Sequence, residues 1–366
     1  MFRPGHPVRA GFHARATHMP RYRLSVARGT PVIPFSVLDL SLITRGHGPA
    51  DAFRNTLDLA RLADSLGCAR YWLAEHHGMP GIASAATGIL IGQVAAATRH
   101  IRVGAGGIML PNHSPLVIAE QFGTLECLFP GRIDLGLGRA PGSDQRTARA
   151  LRRDPHAPER FAQDVEELLH YFEPAADDTP HMVRAIPGAG LRVPVWLLGS
   201  SLFSAMLAAR LGLPYAFASH FAPAQMADAI SLYRERFIPS ERCPRPHVML
   251  GVNMIVADDA AQAAHLATSL QQYFIALRRG QPIAFPPPVA DATGLWPEAG
   301  QAMPDPLACT FVGSPGTVAP QLDAFMRRYR PDELLLALPV HDHALRRRAL
   351  ELAMALRPGA DRPAPG

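Results

Sequence analysis

Two strands that each run out into glycine, one helix apart, constrain this chain more than any other feature. Residues 101–143 read IRVGAGGIMLPNHSPLVIAEQFGTLECLFPGRIDLGLGRAPGS. The β-branched run from Ile101 meets Gly104, Gly106 and Gly107, and the run from Ile133 meets Gly136, Gly138 and Arg139. Pro115 opens a helix between them, since proline suits a first helical turn. Strands joined through a helix are parallel neighbours, so both glycine-rich ends fall on one carboxyl edge of a sheet. Glycine there lets a ligand or another backbone approach where a Cβ would stand in the way.

The same alternation fills the chain. Apolar runs at 31–40, 71–74, 101–109, 133–137, 193–198, 215–219, 248–257 and 333–339 predict eight strands. Helical patterns separate them: 51–66 with Asp51 as its cap, 84–97, 115–128, 145–153, 159–172, up to Leu211, 224–237, from Asp258, from Pro315 and up to Leu356. Eight such alternations predict a (βα)8 TIM barrel forming a single domain over 31–356, ahead of an open doubly wound sheet. Residues 279–308, with Pro286, Pro287 and Pro288, lack pattern and read as an insertion after the seventh strand. Barrel chemistry gathers at strand carboxyl ends. Those ends carry Asp39, His76, Gly106-Gly107, Arg139, Ser200-Ser201, His220 and His341.

Composition narrows the function classes. With 48% hydrophobic and 18% charged residues the chain can bury a large core, and no apolar run reaches the ~20 residues of a membrane helix. The net charge of +5 is concentrated in a leader: residues 1–30 hold six arginines and no acid, which leaves 30 basic and 31 acidic residues for the rest. The body carries no basic, aromatic-interleaved stripe, which argues against nucleic-acid binding. The leader lacks the apolar core of a secretory signal and reads as a disordered extension or an over-long start ahead of Met19, with a transit peptide the weaker option; a cytoplasmic location is expected, and 357–366 reads as a flexible tail. Four cysteines without a CxxC spacing fit reduced, mostly buried thiols. The chain contains no lysine, so a bound phosphate has to be met by arginine, hydroxyls and backbone N–H groups.

Three motifs carry candidate chemistry, each with a plainer reading beside it. Residues 136–142 (GLGRAPG) approach a dinucleotide fingerprint, but Pro141 takes the sixth position and no acid follows at the right distance. Gly199-Ser200-Ser201, between a strand and a helix, suits a phosphate held by helix N–H groups and hydroxyls, with Ser204 one turn on; an ordinary serine cap is the alternative. Glu75-His76-His77 ends the second strand. No third ligand joins them at metal spacing, so no metal is expected. Adjacent strand residues face opposite ways, so only one of His76 and His77 can look down the barrel axis.

Residues 71–77 (YWLAEHH), then VGAGGIMLPNHSPL, AEQFGTLECLFPGRIDLGLGRAPGSDQRT, VPVWLLGSS and FASHFAP, together resemble the bacterial luciferase-like flavin-dependent monooxygenases, most nearly the YhbW-type branch. The resemblance runs over about 35–356. It implies a barrel with an insertion after strand seven, and reduced flavin meeting O2 at the carboxyl end. Residue by residue, Gly106–Gly107 matches the family's non-prolyl cis peptide beside the flavin ring, and Arg139 its flavin-phosphate arginine. Ser200, Ser201 and Ser204 match further phosphate contacts, and His76 the histidine used in luciferase chemistry. Gly138 stands where luciferase has a reactive cysteine, which points away from aldehyde oxidation and light emission.

The resemblance therefore implies a monooxygenase using reduced FMN, supplied by a partner flavin reductase, with His76 as acid/base. Asp39, Ile108, Met109, His220 and Phe221 are the expected substrate pocket, for a small apolar molecule. A deazaflavin coenzyme serving hydride transfer, or a non-catalytic flavin-binding relative, are the alternatives. A homodimer through the helices at 84–97 and 115–128 is expected by likeness to the family.

Overall fold

The computed structural model describes residues 33–139, 144–174, 183–290, 295 and 305–357; the leader, the last residues of the tail and most of 291–304 lie outside these. The strands are β1 (Phe35–Asp39), β2 (Arg70–Leu73), β3 (Arg102–Met109), β4 (Ile133–Gly138), β5 (Val195–Gly199), β6 (Tyr215–Phe217), β7 (Val248–Val256), β8 (Thr310–Gly313) and β9 (Glu333–Ala337). Eight of them close a parallel barrel in the order β1 to β7, then β9, which pairs back onto β1. This is a TIM barrel.

The ninth strand corrects the sequence expectation of eight. β7 is nine residues long. Its first six register against β9 and β6, and its end, Asn253–Val256, projects further and pairs with β8. Four residues beside a proline-rich stretch give too short a period to register as a strand.

The helices follow on the outside: α1 (Pro49–Ser65), α2 (Thr87–Ala97), α3 (Pro115–Leu128), α4 (Gln145–Ala150), α5 (Phe161–Tyr171), α6 (Leu202–Leu211), α7 (Met226–Arg236), α8 (Ala260–Arg278), α9 (Pro315–Tyr329) and α10 (His343–Ala355). In α1 the cap is Gly48 rather than Asp51. Pro49 takes the first helical position, and Asp51, two residues further in, accepts the Gly48 N–H at 2.9 Å. The carboxylate still serves the helix start, from inside it.

Strand alternation sorts the core into two layers. Val37, Tyr71, Val103, Leu135, Leu197, Tyr215 and Leu336 face the helices. Leu38, Trp72, Ala74, Trp196, Ala216, Met249 and Leu335 fill the barrel axis, with Trp72 and Trp196 edge to face at 5.2 Å. At the amino end the axis is closed by ions. Arg70 bridges Asp134 (2.6 Å) and Glu333 (3.1 Å), Arg102 holds the other oxygen of Asp134 (2.6 Å), and Ser36 donates to Glu333. Burial pushes both carboxyls up, but the guanidinium of Arg70, joined by Arg102 at Asp134 and by His247 at Glu333, outweighs it and holds both below the usual range.

Candidate active site at the carboxyl rim

Above the aromatic layer the barrel opens into a cavity of about 860 Å³. Its shape starts with the β3 bulge. Pairing of β3 with β4 slips between Ala105 and Ile108, and the Gly106–Gly107 peptide within that slip is cis. A Cβ on Gly106 would meet Leu38 Cδ1 at 2.8 Å, and one on Gly107 would meet the Gly136 carbonyl oxygen at 2.7 Å. Both positions need glycine, Gly106 because the Leu38 and Trp72 side chains crowd it and Gly107 because the β4 backbone lies against it. The bulge carries the strand end into the cavity wall, where Gly106, Gly107 and Met109 all lie. The Met109 sulfur sits 3.1 Å from where a Gly138 Cβ would project, so a cysteine at 138 would require Met109 to move.

One side of the cavity gathers groups whose chemistry suits an anion. Arg139, Ser200, Ser201 and Ser204 all line it. Ser201 is the N-cap of α6, yet its hydroxyl accepts no bond from the first turn. The plain capping alternative therefore fails, and the N–H groups of that turn have no side-chain cap. A Cβ on Gly199 would lie 2.3 Å from Ser204 Oγ, so this strand end is bare where the helix begins. The Arg139 guanidinium stacks on Phe203, 4.2 Å from the ring centroid, and makes no ion pair among the described residues. Arginine, hydroxyls and free helix N–H groups together fit a phosphate monoester such as the one FMN carries.

The other side holds histidines. His76 lines the cavity, while His77 turns the opposite way and meets Glu75 Oε1 at 2.8 Å. His113, from the turn after β3, reaches the same oxygen at 2.9 Å, so a third donor does join Glu75 and His77, contrary to the expectation from spacing. These three are close enough to hold a cation. Glu75 is already a hub: Met109 N–H donates to Oε2 at 2.9 Å and Asn112 Nδ2 to Oε1 at 3.2 Å. The hub ties the end of β2 to the end of β3 and sets the turn that points His76 inward. His220, at the end of β6, also lines the cavity, and burial together with the nearby His76 lowers its pKa to about 4.

Two expected pocket residues lie elsewhere. Ile108 follows the bulge, pairs opposite Leu137 and packs in the layer between barrel and helices. Asp39 is fully buried and receives Tyr71 OH (2.6 Å), Thr56 Oγ1 (2.7 Å), Arg346 Nη2 (2.8 Å) and Ser41 N–H (2.9 Å). Met109, His220 and Phe221 do line the cavity, whereas His341 is absent from its wall. Residues not anticipated complete it. Tyr273, Phe274 and Leu277 from α8, Phe285 from the insertion, and Leu42, Met79 and Ile82 from the loops after β1 and β2 make an apolar outer part. Arg346 and Asn253 also line it. Arg346 is one of three consecutive arginines, and nothing in that run marks which one turns inward.

Comparison with known proteins agrees with this geometry. The sequence model of luciferase-like monooxygenases matches residues 33–332. An Escherichia coli (strain K12) protein described as a luciferase-like monooxygenase is 52% identical over 327 residues, spanning 89% of this chain and 97% of that one. The solved structure of apo-MsnO8 superposes with a TM-score of 0.78 at 34% identity, covering 88% of this chain and 98% of that one. The oxygenating constituent of 3,6-diketocamphane monooxygenase from Pseudomonas putida, a type II Baeyer–Villiger enzyme solved with FMN, shares the fold at a TM-score of 0.66 and 18% identity, over 88% and 97% of the two chains. With its barrel, its rim and its sequence in accord, this chain belongs to the luciferase-like monooxygenase family.

Proposed function

We propose that this protein is a flavin-dependent monooxygenase that takes reduced FMN from a partner reductase and oxidises a small, largely apolar molecule with O2. One observation carries it: a single cavity joins the Arg139–Ser200–Ser201 cradle to an apolar wall that contains His76. In this assignment Arg139, the two serines, Ser204 and the first turn of α6 hold the phosphate, and the Gly106–Gly107 bulge lies beside the ring. The bound reduced flavin would supply the electrons that activate O2. The protein's own part is to exclude water with Leu42, Met79, Ile82, Phe274 and Phe285, and to move a proton at His76. His220, kept neutral by burial, adds no second charge next to it.

Exposed Ile89 on α2 (71%) and Leu128 on α3 (64%) support a homodimer through those helices. No helix among the described residues is long and apolar enough to cross a membrane; a cytoplasmic site of action is part of the same proposal.

Anaerobic titration with chemically reduced FMN and with a reduced deazaflavin coenzyme, followed by admission of ¹⁸O2 with a panel of apolar substrates, tests the proposal. The expected result is selective binding of reduced FMN and one labelled oxygen in the product, with His76→Ala retaining FMN but losing turnover by roughly 10²-fold or more. Selective deazaflavin binding with no label incorporated would replace oxygenation by hydride transfer. FMN binding without turnover across the panel would support a flavin-binding role alone.

A further inference from the structure

A buried ion pair at the rim joins β1 to α10. Asp39 ends β1 and Arg346 lies in α10, after β9, the barrel neighbour of β1. Arg346 is only 4% exposed. Its Nε donates to the Leu338 carbonyl at 3.0 Å and its Nη2 to Asp39 Oδ1 at 2.8 Å. Nη1 has no partner among the described residues, and Arg346 forms part of the cavity wall. Burying two charges is costly, and removing either partner leaves the other stranded. Asp39 is saturated by four donors, so the pair adds no net charge to the cavity. What it offers is a rigid N–H donor edge beside Leu38, Leu335, Ala337 and Leu338.

Resting on the flavin assignment above, we infer that Arg346 is the substrate's hydrogen-bond donor. The cavity then selects a neutral, otherwise apolar molecule with one acceptor oxygen, such as a ketone, ester or amide, over a carboxylate. A neutralised guanidinium can donate to a carbonyl, but it supplies no unbalanced positive charge to repay the dehydration of an anion. Aliphatic side chains around it leave the rest of such a molecule in an apolar surround. Arg346 is in this sense a specificity-determining residue.

The test uses three ligands of similar shape, acetophenone, ethylbenzene and benzoate, titrated into the FMN-loaded protein and into the flavin-free protein. Wild type is expected to bind acetophenone at least about tenfold more tightly than benzoate. Replacing both partners, Asp39→Asn with Arg346→Met, leaves no stranded charge and keeps a polar group for Tyr71 and Thr56. In that variant acetophenone should weaken by roughly tenfold while ethylbenzene changes little, because one charge-assisted donor is lost. Arg346→Lys should retain part of the preference. Thermal unfolding and FMN affinity are measured alongside, and FMN affinity should stay within about twofold of wild type, a change worth less than one typical hydrogen bond.

Benzoate binding as well as acetophenone, or the double variant weakening both neutral ligands equally, would overturn the inference. So would a fall in FMN affinity with unchanged acetophenone binding, which would assign Arg346 to the flavin. Absence of reduced-FMN binding in wild type would instead overturn the flavin assignment, and the flavin-free titrations would still decide the role of Arg346.

Discussion

The plug at the amino end of the barrel and the open wall of the rim cavity handle polar groups in opposite ways. At the amino end, Arg70, Arg102, Asp134, Glu333 and Ser36 satisfy one another across the axis, and Trp72 Nε1 adds a donor to Asp134 at 3.3 Å. At the carboxyl end, Arg139 has no carboxylate partner among the described residues, Ser201 does not cap its helix, and His220 Nδ1 is buried without a hydrogen bond. The same strands supply both ends. β2 contributes Arg70 below and leads to His76 above; β4 contributes Asp134 below and leads to Arg139 above. Groups that complete one another give rigidity, whereas groups left incomplete are held in place for something that arrives.

Breaking the lower end should have the largest effect on the fold. Asp134→Ala leaves Arg70 and Arg102 facing each other without their shared carboxylate. It should cost about 3–5 kcal/mol of unfolding free energy by chemical denaturation. A loss under about 1 kcal/mol would mean that solvent reaches the plug, and the contrast between the ends would weaken.

Gly107→Ala comes next and probes the junction of the two halves. Its Cβ would press on the Gly136 carbonyl, 2.7 Å away, so β3 and β4 must separate. A loss of about 1–3 kcal/mol is expected, as for other overpacked sites. FMN affinity should fall as well, since the bulge forms the cavity wall.

Acid should separate the ends by the pH at which each responds. His220 has a pKa depressed to about 4, against 6.5 for a free histidine. The unfolded chain takes up a proton below about pH 6.5 that the fold refuses, so stability declines as pH falls from 6.5 towards 4. The slope from this group is at most about 1.4 kcal/mol per pH unit. Asp134 and Glu333 also have depressed pKa values, so their contribution holds above the ordinary carboxylate range and is lost only as pH falls through it. Denaturation midpoints measured every half unit should show the upper phase flattened in His220→Asn and the lower phase kept. An unchanged upper phase would mean that His220 is not the group refusing the proton.

The barrel was legible in the sequence because eight apolar runs alternate with helical ones, and buried parallel strands leave that mark. So were the polar strand ends, since glycine, serine and histidine are conspicuous among valine and leucine. Side-chain direction was harder. Ile108 follows an irregularity, and once the register slips between Ala105 and Ile108 simple alternation no longer gives its face. Asp39 does stand at a strand end, but its carboxylate is consumed by Arg346, a partner 307 residues away that no local pattern could reveal. His113 joins Glu75 for a similar reason: the contact exists only once β2 and β3 lie side by side. The outer apolar wall was missed because Phe285 lies in a segment without periodicity and Tyr273 faces inward from the middle of α8.

The proposed anchor of the flavin at the rim is its phosphate. The most direct test of that anchoring compares reduced FMN with reduced riboflavin, which lacks only the phosphate, in wild type and in Arg139→Ala, whose unfolding free energy should match wild type within about 0.5 kcal/mol. Wild type should prefer FMN by about 10²-fold, and Arg139→Ala should remove at least about tenfold of that preference while leaving riboflavin binding unchanged. Equal affinities for FMN and riboflavin in wild type, or a preference that survives Arg139→Ala intact, would contradict it.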